Sequence, residues 1–294
     1  MIVVTTPSGT VGSEFVQLLI KQVPSLPFRL VTRTPEKLIS KYGADVATAS
    51  FDFADHTTWD AAFERISILF LVVPKPDPKE IRANIFPLID AAVRAGCQHI
   101  LFLSVPGADK QKFLPHYLIE RYVEACGVAY TILRASYFMQ NLCGKSSTHG
   151  VDIATRNEIF IPAGRGELSF IDTRDIAAVL LKICENPEVH QKKAYLLTGR
   201  RSLNFFEVAK IFSQVMERPV HYAHPSLLRF WQRMARRGVP GSLIFFMAIE
   251  YTATSLGHGK FLSDDLLHLL GRLPTPMTQF VEDNKERWLT QSWV

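Results

Sequence analysis

Short apolar runs separated by amphipathic stretches set the rhythm of the first half of the chain. Runs at 2–5, 28–32, 46–51, 66–73, 99–104 and 129–133 are rich in Val, Ile, Leu and Phe and are predicted as strands. Between them, apolar positions recur at helical spacing over about 12–23, 35–41, 57–64, 78–95 and 113–126. Strands that are apolar throughout, each followed by a helix, imply a parallel sheet buried on both faces. Right-handed crossovers then give an α/β fold with a doubly wound parallel sheet, whose ligand crevice lies at the C-terminal strand ends. The residues expected there are Thr6 to Val11, Arg33, Asp52, Val73 to Lys75, Ser104 with Val105, and Arg134 to Phe138.

The pattern changes in the second half. Gly164 and Gly166 mark a turn before a strand at 168–171, and Asp175 is expected to cap a helix running to about Cys184. A strand near 194–198, stopped by Gly199, is expected to return to the sheet, and Asn204 caps a helix to about Glu217. Further helices are predicted near 225–237, 240–256, 263–271 and 276–290. The organisation expected is a dinucleotide-binding domain over 1–150, completed by the strand near 194–198, with a smaller α+β lobe over 151–294 interleaved with it.

The turn after the first strand carries the strongest chemical signal. Gly9 and Gly12 fit the second and third positions of a G-x-x-G-x-x-G loop, in which backbone N–H groups and a helix N-terminus approach a pyrophosphate. The first position is Thr6, and two glycines also suit an ordinary strand-to-helix turn. The second strand ends at Arg33, where an NAD-preferring site places an acidic side chain for the ribose 2′-hydroxyl. An arginine there suits a 2′-phosphate instead, which favours NADP(H). Thr34 and Pro35 read as an N-cap and first helical residue.

Composition narrows the class. The 294 residues are 47% hydrophobic and 21% charged, as in a globular protein with a full core. The chain opens on its first strand without a basic leader, and its apolar runs are too short to span a bilayer. Four scattered cysteines without C-x-x-C spacing suit a reducing cytosol, so a cytoplasmic location is expected. The net charge of +5 owes much to Arg229, Arg233, Arg236 and Arg237 on one predicted helix. That helix reads either as a solvated face over a packed stripe or as a docking surface for a membrane or acidic partner. No nucleic-acid module is visible.

A reductase of this architecture commonly uses a Tyr-x-x-x-Lys pair, and no tyrosine here has one; Tyr117 is followed four residues later by Arg121. Arginine cannot share a proton as lysine can. His116 and Glu120, four apart at the start of the helix before the sixth strand, are the remaining catalytic candidates: an imidazole to donate a proton and a carboxylate to hold its tautomer. The same spacing also describes a surface ion pair. Phe138 could pack on a nicotinamide ring, with Asn141 hydrogen-bonding beside it. His221 and His224 lack further ligands, so no metal is expected, and there is no G-x-S-x-G nucleophile turn.

Taken in order, these segments resemble the NmrA-like family of atypical short-chain dehydrogenases/reductases. The resemblance is carried by Thr10-Val-Gly12, Val31-Thr-Arg33, Phe51-Asp52, Leu71-Val-Val-Pro74, Leu103-Ser104, His116 to Glu120 and Gly127 to Arg134. It continues through Phe138-Met-Gln-Asn-Leu142, Pro162 to Gly166, Phe170 to Ala177 and Tyr195 to Gly199. Thr6 and Ala135, where glycine and proline are common, depart from the pattern. The resemblance implies a Rossmann-like fold and an NADPH-dependent reductase of a small apolar electrophile such as a quinone, enone or iminium. The alternative it leaves open is a non-enzymatic NADP(H)-binding redox sensor acting through a protein partner; a homodimer is also compatible. Expected cofactor contacts are Thr6, Gly9, Thr10, Val11, Gly12, Arg33, Asp52, Val73, Pro74, Ser104, Phe138 and Asn141. The expected substrate wall comprises Phe138, Phe160, Phe246 and Met247.

Overall fold

The structure is a computed structural model and describes residues 1–22, 25–74, 77–143 and 149–289. The chain divides into two units that exchange segments. The first comprises Met1–Ala135, Thr173–Leu197 and His268–Gly271; the second comprises Ser136–Asp172, Thr198–Leu267 and the chain from Arg272 onward.

The first unit is built on a seven-stranded sheet. Its strands are β1 (Ile2–Val4), β2 (Phe28–Thr32), β3 (Thr48–Ser50), β4 (Ile68–Leu71), β5 (His99–Ser104) and β6 (Ala129–Ala135). After the short strands β7 (Tyr137–Phe138), β8 (Glu158–Ile159) and β9 (Glu167–Ile171) of the second unit, β10 (Lys193–Leu197) completes the sheet. The order is β10-β6-β5-β4-β1-β2-β3, with every pairing parallel. The chain therefore winds outward from β1 through β2 and β3, then crosses back to β4 on the other side of β1. That reversal opens a crevice at the C-terminal ends of β1 and β4.

Helices cover both faces. On one, α1 (Thr10–Gln22) lies against α8 (Thr173–Glu185). Its buried stripe includes Phe15, whose ring meets Phe70 of β4 edge-on at 5.4 Å. On the other, α2 (Pro35–Tyr42) follows β2, and α3 (Trp59–Phe63), α5 (Phe86–Arg94) and α6 (Pro115–Ala125) line the sheet. The helix expected over 78–95 is interrupted: α4 (Pro78–Glu80) and α5 are joined by a wider turn at Ile81–Ile85, closed by Phe86 N–H to the Ile81 carbonyl. Pro87 is the physical reason, since it has no N–H to donate and its ring crowds the preceding turn. Asp175 lies inside the first turn of α8 rather than capping it.

The second unit begins at Ser136, earlier than the expected boundary at 150. Immediately after β6, Tyr137 and Phe138 leave the large sheet and pair with Phe170 and Ile171 in a three-stranded sheet ordered β11 (Ser202–Asn204), β9, β7. A two-stranded sheet joins β8 to β12 (His221–Tyr222). The remaining helices are α7 (Gly150–Arg156), α9 (Phe205–Met216), α10 (Leu227–Arg236), α11 (Gly241–Ser255), α12 (Asp265–Leu270) and α13 (Met277–Leu289). Asn204 and Glu207 form a reciprocal capping box on α9. No helix among the described residues is long and apolar enough to cross a membrane.

The basic helix α10 is organised inward. Asp152 of α7 is fully buried; Arg237 Nη1 donates to its Oδ2 at 2.8 Å and Arg233 Nη1 to its Oδ1 at 3.1 Å. Arg233 also reaches Glu158 Oε1 at 3.2 Å, and its guanidinium sits 3.3 Å from the centre of the Phe160 ring. Two of the four arginines are thus internal anchors, while Arg229 and Arg236 are exposed. Asp152→Ala would take this shared carboxylate from both inner arginines, while Arg233 keeps its contact with Glu158. It should destabilise the protein by about 3 kcal/mol, the lower end for breaking a buried pair because both arginines keep some solvent, read as a lower urea midpoint.

Three histidines are held neutral by burial. His99, bonded through Nε2 to Thr131 Oγ1 at 2.8 Å, is pushed down to about 4 by desolvation and by neighbouring His190. His116 and His149 are likewise pushed to about 4 by desolvation. Between the ordinary value of 6.5 and about 4, the unfolded chain takes up protons that the folded chain refuses. Stability should therefore be full above pH 6.5 and fall as pH drops through that window. Urea midpoints measured from pH 7.5 to 4.5 should decline, and His99→Asn should shallow the slope; a flat series would contradict this.

Candidate functional site

At the C-terminal ends of β1 to β4 the first unit holds a cleft of about 460 Å³. Its floor is the loop from Thr5 to Gly9. Thr5 fixes the end of β1 to β4: its hydroxyl donates to the Phe70 carbonyl at 3.0 Å and accepts from Val72 N–H at 3.2 Å. Gly9 N–H donates to the Thr6 carbonyl at 3.0 Å, and the Gly9 carbonyl accepts from Ser13 N–H as α1 begins. Gly12 touches the same turn from the helix side; a Cβ there would lie 1.9 Å from the Thr6 carbonyl oxygen. The loop can draw this close to its helix only because position 12 has no side chain. The first N–H groups of α1, which have no intrahelical partner, open directly beyond it.

The side walls come from Thr32, Arg33 and Asp52 to Ala54, and the far wall from Val73, Pro74, Asp77, Glu80 and Asn84. Asp52 is held in a tight turn, accepting from Ala54 N–H at 2.9 Å through Oδ1, while its carbonyl accepts from Trp59 Nε1 at 2.9 Å. Arg33 is exposed, makes no ion pair among the described residues, and is the only Lys or Arg among the lining residues described. Thr34 caps α2 without a side-chain bond, with Pro35 at its first position.

Of the expected cofactor residues, the cleft gathers Thr6, Gly9, Arg33, Asp52, Val73 and Pro74. Thr10 opens α1, and Val11 and Gly12 are buried in its first turn, supporting the loop from behind. Lys75 lies outside the described residues. The far-wall carboxylates were not anticipated; their signal was Asp77, an N-cap residue just after the fourth strand, which accepts from Lys79 N–H at 2.9 Å.

Ser104 and Glu120 have different partners from those expected. Glu120 is fully buried, and its two oxygens accept a two-pronged bond from Arg134, Nε to Oε1 at 3.0 Å and Nη2 to Oε2 at 2.7 Å. Ser104 is also buried, and its hydroxyl donates to Glu120 Oε1 at 2.5 Å. The anticipated His116–Glu120 hydrogen bond is therefore not formed, because Glu120 ties the ends of β5 and β6 to α6. His116 is half-buried, with its ring 6.2 Å from that of Phe102. At about 4, lowered by desolvation against the pull of Glu120, its imidazole holds no spare proton at neutral pH. It does not supply a poised acid.

Phe138, Asn141, Phe160, Phe246 and Met247 all belong to the second unit. Phe138 is half-buried and Asn141 is hydrogen-bonded to Tyr137. Phe160 is 2% exposed beneath Arg233, and Met247 is 6% exposed. Both are core residues rather than open pocket wall. Phe246 is 64% exposed on α11. No metal-binding cluster of His, Cys, Asp or Glu occurs among the described residues.

This arrangement of sheet, glycine turn and strand-end arginine defines a dinucleotide-binding protein of the doubly wound class. Residues 1–243 match the NmrA-like family, and the chain belongs to it. It is 33% identical over 287 residues to an NAD(P)H azoreductase of Xenophilus azovorans, covering 96% of this chain and 97% of that protein. The triphenylmethane reductase of Citrobacter sp., solved with NADP(H), superposes with a TM-score of 0.84 at 25% identity, over 96% of this chain and 99% of that one. The negative transcriptional regulator NmrA, solved with NAD, shares the fold at a TM-score of 0.75 and 16% identity, over 98% of each chain.

The Gly12 contact gives a direct check on the loop. Gly12→Ala forces a shift of loop backbone rather than of a flexible side chain. It should cost about 1–3 kcal/mol, the range for overpacking a tight site, seen as a lower urea midpoint. An unchanged midpoint would mean that the loop does not close on the helix as described.

Proposed function

We propose that this protein is an NADPH-dependent reductase of small, flat, apolar electrophiles: quinones, conjugated enones, iminium ions and aryl azo compounds. The azoreductase relative supports the last of these, which, like the others, accepts a hydride and a proton across a conjugated double bond. The observation that carries the cofactor reading is Arg33. A cleft whose other charged lining residues are Asp52, Asp77 and Glu80 would repel a 2′-phosphate, and the unpaired guanidinium at its rim reverses that preference.

The residues fit a dinucleotide. The loop from Thr6 to Gly9 and the start of α1 would hold the pyrophosphate, Arg33 the 2′-phosphate, and Asp52 with Val73 and Pro74 the flanking nucleoside. The Thr6 hydroxyl stands where a glycine would leave only backbone. Bound there, the nicotinamide supplies hydride; the protein supplies orientation and a dry apolar surface. Ser104 acts through Glu120 and Arg134, fixing the strand ends. Within the second unit, Phe138 and Phe246 remain the proposed substrate-contact residues. Conjugated acceptors suit a site without a Tyr–Lys pair, since their hydride-accepting atom is already electrophilic.

Arg33→Ala tests the assignment. A charge-assisted contact is worth about 1.5–3 kcal/mol, so NADPH affinity should fall at least about tenfold while NADH affinity stays nearly constant. Fluorescence titration with both cofactors measures this, and NADPH oxidation with a panel of quinone, enone, iminium and azo acceptors measures turnover. Equal losses for both cofactors would remove Arg33 from the site. Tight NADPH binding with no turnover on any acceptor would replace the reductase by a sensor.

A further inference from the structure

Helix α10 sends its side chains in three directions. Phe230 and Met234 are buried in the core of the second unit, and Arg233 and Arg237 turn to the buried carboxylate of Asp152. Leu227, Leu228 and Trp231 are exposed, Leu228 to 67%. Arg229 and Arg236 are exposed as well and make no ion pair among the described residues. Their order round the helix follows from the spacing. Trp231 and Ala235 stand beside the buried pair, Leu228 lies one turn before Trp231, and Arg229, Gln232 and Arg236 come next, beyond Leu228. The apolar half of the helix is thus wider than the core it covers, and a cationic arc borders the part left over.

The neighbouring helix repeats the pattern. Gly238, at φ 73°, closes α10: its N–H donates to the Ala235 carbonyl at 3.0 Å and the Val239 N–H to the Met234 carbonyl at 3.1 Å. The chain then turns into α11, which packs against α10. There Ile244, Met247 and Tyr251 are buried, while Phe245 and Ile249 are 59% and 55% exposed. Large apolar side chains are exposed more densely on this helix pair than elsewhere among the described residues. Charge is equally one-sided, because no Asp or Glu stands between Glu217 and Glu250. An occupant of this surface meets apolar and cationic groups and no acid.

We propose that the α10–α11 pair docks the protein on an anionic lipid bilayer, with α10 lying in the plane of the interface. Leu227, Leu228 and Trp231 enter the boundary between headgroups and acyl chains, and Arg229 and Arg236 reach the lipid phosphates beside it. Tryptophan suits that depth, since its ring is apolar and its indole N–H polar. Two arguments favour lipid over other occupants. A second copy would meet this patch with the same patch, setting Arg229 and Arg236 against their own counterparts with no carboxylate between them. An acidic protein would answer the arginines but would have to match the apolar arc in shape, whereas a bilayer takes convex side chains one by one. The docking requires neither cofactor nor turnover and stands apart from the reductase reading.

Sedimentation with vesicles of mixed phosphatidylcholine and phosphatidylglycerol tests it. The protein should pellet with these vesicles and not with phosphatidylcholine alone, and about 0.5 M NaCl should weaken the binding by screening. Arg229→Gln with Arg236→Gln should weaken it about twentyfold, roughly fivefold for each arginine near an anionic surface. Leu228→Ser should weaken it about tenfold. In the wild type, acyl chains brominated near the headgroup should quench part of the fluorescence, and Trp231→Phe should remove that part. No pelleting with the anionic vesicles, binding that these substitutions leave unchanged, or no quenching of Trp231 overturns the proposal. A lipid-free dimer in sedimentation equilibrium that Leu228→Ser dissociates also overturns it and gives the face to a second copy. Binding to polyglutamate with none to vesicles overturns it in favour of an acidic protein. NADPH oxidation is measured separately, so none of these outcomes decides the reductase reading.

Discussion

A side chain at position 12 would place its first carbon 1.9 Å from the Thr6 carbonyl oxygen, so the loop after β1 can close against α1 only around glycine. Much follows from that contact. It sets the height at which α1 starts above the sheet, and hence where its unpaired N–H groups lie relative to the cleft. It fixes the Thr6 carbonyl away from the ligand side, which leaves the hydroxyl of that residue as a feature its glycine counterpart lacks. The topology places the loop at the sheet's reversal point, and the glycine contact holds it close against the start of α1 there.

Buried charge does a second kind of work. Glu120 binds the ends of β5 and β6 to α6 through Ser104 and Arg134, and Asp152 binds α7 to α10 through Arg233 and Arg237. Each is an acid deep in a unit with its cations supplied from elsewhere in the same unit. Removing a carboxylate from water is costly, and such groups persist where several donors converge on them.

The sheet and its crossovers were legible because apolar runs and helical spacing report directly on burial. The cleft residues at strand ends, Thr6, Arg33, Asp52 and Val73, followed from topology alone, since the C-terminal ends of parallel strands must come together. What could not be read was which way polar side chains turn. The spacing of His116 and Glu120 is compatible with a pair, but Arg134, fourteen residues on in sequence, competes more strongly for the carboxylate. The basic helix looked solvent-facing because its carboxylate partners, Asp152 and Glu158, lie some seventy-five to eighty-five residues upstream. Pro87 widened a helix that periodicity drew as continuous.

The interleaving of the two units has a consequence for how the chain is made. Strand β10 and helix α8 arrive after the excursion into the second unit, yet they cover the edge of β6 and the outer surface of α1. A nascent chain that has emerged only to Ala135 holds six strands of the sheet with one edge open and one helix uncovered. Parallel pairing over such long sequence separations is slow, and open edges invite pairing with other chains. The first unit therefore matures late, and its assembly on the ribosome depends on segments translated after most of its own sheet.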